Sequence, residues 1–205
     1  MRHRGIRLGL PVLFGLAACA IVAGCCRDHS ISLDAYQPQT KLEVVGSPKI
    51  ALVDLVDKRQ ADDAVGMQVG ELRNAFGAVS NKVYSKAEPI AWVGNALAEE
   101  LKHAGFDVIK AGPATPEGAA IIVSGEVTKI LLAQKGISWA GSYSTTVHLR
   151  LVIHKNGSKI YDNEHTATVM RGVSGVRDAD LEEELTRALH ELMDFILPKI
   201  MAVAV

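Results

Sequence analysis

An α+β fold, a single domain with a mostly antiparallel sheet and two amphipathic helices packed on one face, is predicted by three features of this sequence. Two segments repeat apolar residues every three to four positions, the spacing of a helical stripe. They are Ile90, Val93, Leu97, Leu101 and Ala104 in the first, and Leu181, Leu185, Leu189, Leu192 and Ile196 in the second. Residues 119–170 instead alternate apolar and polar side chains, and Asn156-Gly157 interrupts them with the strongest hairpin signal in the chain. The resulting order is strand, hairpin, helix, strand, three meandering strands, helix. Two helices following strands in that order cover one side of a single sheet.

The chain opens with "MRHRGIR", which carries Arg2, Arg4 and Arg7 and no acid, and Leu8 to Val22 then run apolar and small. A basic start, a short apolar run and a small-residue exit describe a secretory leader over residues 1–24. The run is too short to span a bilayer, which takes about 20 apolar residues. Val22-Ala23-Gly24-Cys25 resembles a bacterial lipobox, whose cysteine sulfur takes a diacylglycerol and whose freed amino group is then acylated, commonly with palmitate. Leu16-Ala17-Ala18-Cys19 fits the same pattern, but Cys25 stands where the apolar run gives way to polar residues and is the preferred site. The resemblance implies a membrane-bound protein. Because Cys26 rather than Asp follows the lipidated position, it implies the outer membrane, facing the periplasm.

The only cysteines are Cys19, Cys25 and Cys26, so no disulfide framework staples the folded part. Of 22 Lys+Arg, the leader takes three, leaving 19 against 23 Asp+Glu and a net charge of −4. A mildly acidic surface argues against nucleic acid as a partner. Residues 25–47 read as the lipidated cysteine and a tether to about Ser30, followed by an extended segment lying against the domain. The α+β periplasmic domain is then 48–205.

Within it, "KIALVDLVDKR" (49–59) is dense enough in apolar residues for a buried central strand. The Gly-punctuated stretch 61–86 suits a hairpin. In the first helix Pro89 falls in the opening turn, where a missing N–H is tolerated, and Gly105 supplies the end signal before "FDVIKA" resumes as a strand. Residues 119–134 form a long strand, "KGISWAG" a loop, and 145–154 a strand with one polar face; "KIYDNEHTATVMRG" returns as its partner. Asp178 or Asp180 caps the second helix, and Pro198 ends or kinks it ahead of an apolar tail.

Asp57 and Arg59 after the first strand, Gly70, Arg73, Asn74 and Gly77 in the hairpin, and Leu97, Leu101 and Gly105 in the helix resemble the YajG-like bacterial lipoproteins. With the lipobox and the long hairpin, the resemblance extends over most of the mature chain. It implies an outer-membrane lipoprotein without an established activity.

No G-x-S-x-G, Walker loop, C-x-x-C or G-x-G-x-x-G occurs in the sequence. His190-Glu191-Leu192-Met193-Asp194 imitates a zinc-protease helix, but Asp194 replaces the second histidine and the three polar residues sit toward the solvated side. Asp54, Asp57, Asp62 and Asp63 lack the spacing of a calcium loop, and Asp57-Lys58-Arg59 reads equally as an ion pair fixing the strand exit. If the Asn156-Gly157 turn has two residues, Lys155 opposes Ser158 and counting back sets His148 across from His165. That register also sets Leu149 against Glu164, and a bulge near Tyr161 or Asp162 would repair it and separate the histidines. A solvated strand face, with no metal and no cofactor, is the expectation.

Four residues then mark where a partner docks. Trp139 sits between Gly136 and Gly141 at a hairpin tip, either inserting into a partner or lipid interface or folding back over the sheet edge; His148, Arg150 and His165 represent the polar strand face. Trp92, beside the helical stripe, reads as core. The function expected is that of a non-enzymatic accessory or structural component of the bacterial cell envelope, held by its lipid and meeting an envelope protein or another copy of itself. The alternative is a carrier or sensor of lipid, glycan or peptide.

Overall fold

The computed structural model describes residues 27–33, 36–60, 66–74, 76–112, 120–137, 140–173 and 176–204. Among the described residues nine strands and two helices follow in the order β1 (His29–Ile31), β2 (Lys49–Val53), β3 (Val56–Asp57), β4 (Gln68–Arg73), β5 (Val79–Ser85), α1 (Pro89–His103), β6 (Asp107–Ala111), β7 (Ile121–Ile137), β8 (Ala140–Lys155), β9 (Ser158–Val173) and α2 (Asp178–Ala204). This is the α+β fold expected: a mixed, mostly antiparallel sheet with both helices on one face.

The long meander β7–β8–β9 is antiparallel throughout, and its second turn is the one its sequence requires. Asn156 and Gly157 both take positive φ, 53° and 80°, and Lys155 pairs with Ser158. That is a type I′ turn, whose twist matches the flanking strands. Val147, Leu149, Leu151 and Ile153 of β8 are fully buried, and α2 lays Leu181, Leu185, Leu189, Leu192 and Ile196 over them. Strand alternation and helical stripe therefore meet in one core.

One edge of β7 pairs along its length with β8; the other edge takes three parallel partners in succession. Ile50 of β2 pairs with Ile121, Val56 of β3 with Glu126, and Gly70 of β4 with Leu132. Outside these lie β6 against β2, β5 against β4, and β1 parallel to β5. A Cβ on Gly70 would sit 2.5 Å from the Leu132 carbonyl oxygen, so the close approach of β4 to β7 excludes a side chain there.

Glu88 caps α1, accepting from the N–H groups of Ile90 and Ala91. At the other end the Phe106 N–H donates to Leu101 and the Gly105 N–H to Lys102, a closure that Gly105 permits at φ +97°. Trp92 is buried in the core.

The chain ahead of β2 is stitched across both helices. Glu100, 1% exposed, accepts from the Tyr36 hydroxyl (2.5 Å), the Gln39 N–H (2.9 Å) and the Thr40 N–H (3.1 Å). On the α2 side, the Ser32 N–H donates to Glu182 (2.7 Å), and His190 meets the Gln37 carbonyl through Nε2 (2.9 Å).

Three details depart from the sequence reading. The run 49–59 is two short strands, β2 and β3, with a break at residues 54–55, and β2 lies between β6 and β7. The first long strand continues to Ile137 and the next begins at Ala140, with Gly136 paired to Gly141, so the strands take in most of the stretch expected as a loop. The helix α2 does not end at Pro198 but runs on to Ala204, although the prolyl nitrogen has no proton to give the Asp194 carbonyl. The polar face of the meander carries a bulge next to the positions at which one was expected, described next.

Candidate functional site

Of the four residues marked for docking, His148 and Arg150 lie on the face of the sheet that the helices leave uncovered. Arg150 of β8 faces Glu126 of β7 on one side and Glu164 of β9 on the other. Its guanidinium donates through Nε and Nη2 to the two carboxylate oxygens of Asp162 (2.8 and 3.0 Å), and Nη1 reaches Glu126 at 3.3 Å. Lys159 adds a third donor to Asp162 at 2.7 Å. His148 Nε2 stands 3.5 Å from Glu164, and the Thr146 and Thr168 hydroxyls are 3.1 Å apart. The result is a ladder of paired charges across three strands.

The ladder sets its own protonation. Hydrogen bonds from Arg150 and then Lys159 hold the Asp162 carboxyl down at about 2, and Asp162 in turn raises Arg150. A depressed carboxyl stabilises the fold above its unfolded value of 3.8, and that stabilisation is lost as pH falls from there toward 2. The difference in urea midpoint between wild type and Asp162→Asn should therefore be constant above about pH 5 and shrink below about pH 4. A difference independent of pH would contradict the pairing.

His165 is not on this face. A bulge at Ile160 shifts the register by one residue: Ile153 pairs with Tyr161 and His154 with Lys159, so His148 meets Thr166 and His165 meets the buried Leu149. The bulge keeps charged residues of β9 from facing the core leucines of β8, the conflict that an unbulged count creates. His165 stacks on Tyr161 with ring centroids 5.9 Å apart, and its Nε2 lies 2.8 Å from the Tyr161 hydroxyl. Burial first, then Lys199 and His148, lowers its pKa, which favours the neutral ring. Trp139 and Cys25 lie outside the described residues.

The sequence reading named Arg150 but not its partners. Asp162 and Glu164 come beside Arg150 only once the bulge at Ile160 is placed, and Glu126 faces it from β7 through the other register of β8.

A second feature is a cleft of about 420 Å³ between the exit of β2 and the first turns of α1. Leu52, Leu55 and Ile90 contribute apolar lining, and Asp54, Asp57, Asn95 and Lys110 contribute polar groups. A Cβ added to Gly94 of α1 would lie 3.8 Å from Leu55 Cγ, an ordinary contact, so Leu55 stands over this turn of the helix. Several polar groups are already paired. The Lys110 ammonium donates to Asn95 at 2.5 Å, and Asp57 takes both Nε and Nη2 of Arg59. Those bonds lower the Asp57 pKa. Arg59, its side chain fully buried, also donates to the carbonyls of Gly66 and Gln68, so the pair fixes the strand exit as Asp57-Lys58-Arg59 implied. His190 is engaged with Gln37, and among the described residues no group of three metal-ligating side chains converges.

No protein-family model matches the chain, and no curated protein matches it. Its structure is similar to a DUF330-family protein from Xanthomonas campestris, with a TM-score of 0.51, 11% identity, and coverage of 82% of this chain and 92% of that one. It is similar also to a neuraminyllactose-binding hemagglutinin homolog from Helicobacter pylori (TM-score 0.47, 11% identity, 82% and 98% covered). The lipoprotein GNA1162 from Neisseria meningitidis gives a TM-score of 0.37 at 12% identity, with 72% and 99% covered. The first match shows a shared fold.

Proposed function

We propose that this chain is an outer-membrane-anchored bacterial lipoprotein, lipidated at Cys25 and facing the periplasm. It acts as a non-enzymatic accessory or structural component of the envelope. It docks a protein partner or a further copy of itself through the Arg150 face, with Trp139 at the end of the same hairpin. The observation that carries the docking part is the charge ladder on the uncovered sheet face. Paired, register-locked charges present a fixed pattern, and such patterns select partners more than they add affinity. The anchor rests on the basic leader and on Val22-Ala23-Gly24-Cys25, whose cysteine is two residues ahead of Arg27. The YajG-like resemblance points the same way: Asp57, Arg59 and Gly70, which carry it, hold the strand exit and the β4–β7 approach here.

The test is the native protein extracted from membranes in mild detergent, with a photo-crosslinking residue at Thr168. Intact mass should show Cys25 carrying diacylglycerol, and a stoichiometric crosslinked species should form. Glu164 is 64% exposed on this face, so Glu164→Lys should cut the crosslink yield about 10-fold without unfolding the protein. An unacylated mature chain would refute the anchor, and an unchanged crosslink yield would refute the face. A second reading, a carrier or sensor of lipid, glycan or peptide, is favoured by the cleft above Leu55. A crosslink-free monomer that copurifies with a small molecule would move the function there.

A further inference from the structure

We infer that the tip of the β4–β5 hairpin, with Phe76 at its head, is a second membrane contact that inserts into the same lipid surface as the anchor. The inference rests on the lipid-anchor reading of Cys25. Phe76 is 95% exposed, the most exposed aromatic side chain among the described residues. It is held in a closed loop: Asn74 Oδ1 accepts from the Phe76 N–H (2.9 Å) and the Ala78 N–H (3.1 Å), and the Gly77 N–H donates to the Asn74 carbonyl (2.9 Å). Arg73 Nη1 donates to the Gly77 carbonyl at 2.8 Å. The backbone at Phe76, Gly77 and Ala78 is thus bonded back to Asn74, which lowers the entropy cost of burying the ring in a partner phase.

The path of the chain says which phase that is. β1 runs parallel to β5, with His29 opposite Val83. Traced backward from His29, the chain stays beside β5 and moves toward its first residue, Val79. The Lys82 N–H donates to Asp28 (2.8 Å), and the Asn81 side chain donates to the Arg27 carbonyl (2.6 Å). Cys25 is two residues further, about 7 Å of chain at most. The anchor therefore leaves the body beside the hairpin tip.

Other groups at this end suit an interface. Val79 is 43% exposed beside the tip, while Arg27, Arg73 and Lys82 flank it with Asp28 and Glu71 among them. An apolar head with basic flanks is the composition of interfacial segments. By contrast Phe195, 53% exposed, lies 17 residues along α2 from Asp178, about 25 Å of helix. Asp178 is the residue that meets His29 at 2.6 Å, so Phe195 sits far from the exit of the anchor.

This difference makes the test. The full mature protein, its acylation read by intact mass, is placed in phosphatidylethanolamine–phosphatidylglycerol vesicles doped with brominated phosphatidylcholine. Tryptophan quenching above the wild-type signal is compared for Phe76→Trp and Phe195→Trp. Quenching of the Phe76→Trp probe should exceed that of the Phe195→Trp probe at least ~3-fold, with a blue-shifted emission. An acylated protein in which both probes are quenched equally, or neither is, overturns the tip contact and leaves the anchor standing. An unacylated protein overturns the anchor, and the tip contact with it.

Discussion

Glu100→Ala should destabilise the protein by about 3 kcal/mol, a fall in melting temperature of roughly 6–12 °C for a chain of this size. The argument is one of acceptors. Three donors converge on a carboxylate that is 1% exposed, and Thr40, whose N–H is one of them, is itself buried. Each buried donor left without a partner costs about 1–3 kcal/mol, and the loss is capped by the free energy of holding the segment down at all. Burial and the Glu100 hydrogen bond both push the Tyr36 hydroxyl upward, so it stays a neutral donor across the range in which the carboxylate can accept. The segment 36–44 should come loose before the rest of the fold. Limited proteolysis of Glu100→Ala should show early cutting after Tyr36 or Lys41. Glu100→Gln, which keeps an acceptor oxygen, should lose less. A wild-type melting temperature and digestion pattern for Glu100→Ala would refute the clamp.

Gly125→Ala is expected to cost about 2–3 kcal/mol, because the added methyl has nowhere to go. It would lie 2.6 Å from the Arg150 carbonyl oxygen, 3.1 Å from Leu149 Cδ1 and 3.2 Å from Leu55 Cδ2. The two leucines can turn. The carbonyl belongs to the β7–β8 ladder, which is fixed by residue pairs on both sides. The cost therefore divides into a relievable part at the side chains and a fixed part at the backbone. Leu55→Ala should open the cleft floor and, as a background, reduce the penalty of Gly125→Ala by about 1 kcal/mol. Chemical denaturation of the four members of that cycle checks both numbers. Full additivity would mean that Leu55 is not the obstacle.

The meander and both helices are legible in the sequence because each obeys one local rule. Val147, Leu149 and Leu151 alternate with His148 and Arg150, Asn156-Gly157 can adopt the two positive φ values of its turn, and the helical stripes keep their period. What escapes is what two distant segments decide together. That one edge of β7 serves β2, β3 and β4 in turn has no local signature. The bulge is legible to within a residue, because the clash of Leu149 with Glu164 calls for one near Tyr161 or Asp162; at Ile160 it moves His165 to the core side, since a strand slipped by one residue turns every side chain over. Pro198 signals a helix end, but the apolar residues on both sides of it, Leu197 and Ile200, bury themselves and carry the helix through. Glu100 sits inside the apolar stripe of α1, and that misplaced acid was the one visible sign that something polar would be bound there.

The parallel alignment of β1 with β5 also determines how the molecule carries tension. A pull on the chain ahead of Arg27, directed toward the hairpin tip, runs along the strand axis, so the bonds joining β1 to β5 are sheared together rather than unzipped one by one. β1 is only three residues long and would slip first, but the load then reaches the Ser32–Glu182 bond and after it the three bonds gathered on Glu100. A strain at the N-terminus is thereby passed to both helices before it reaches the strands of the core.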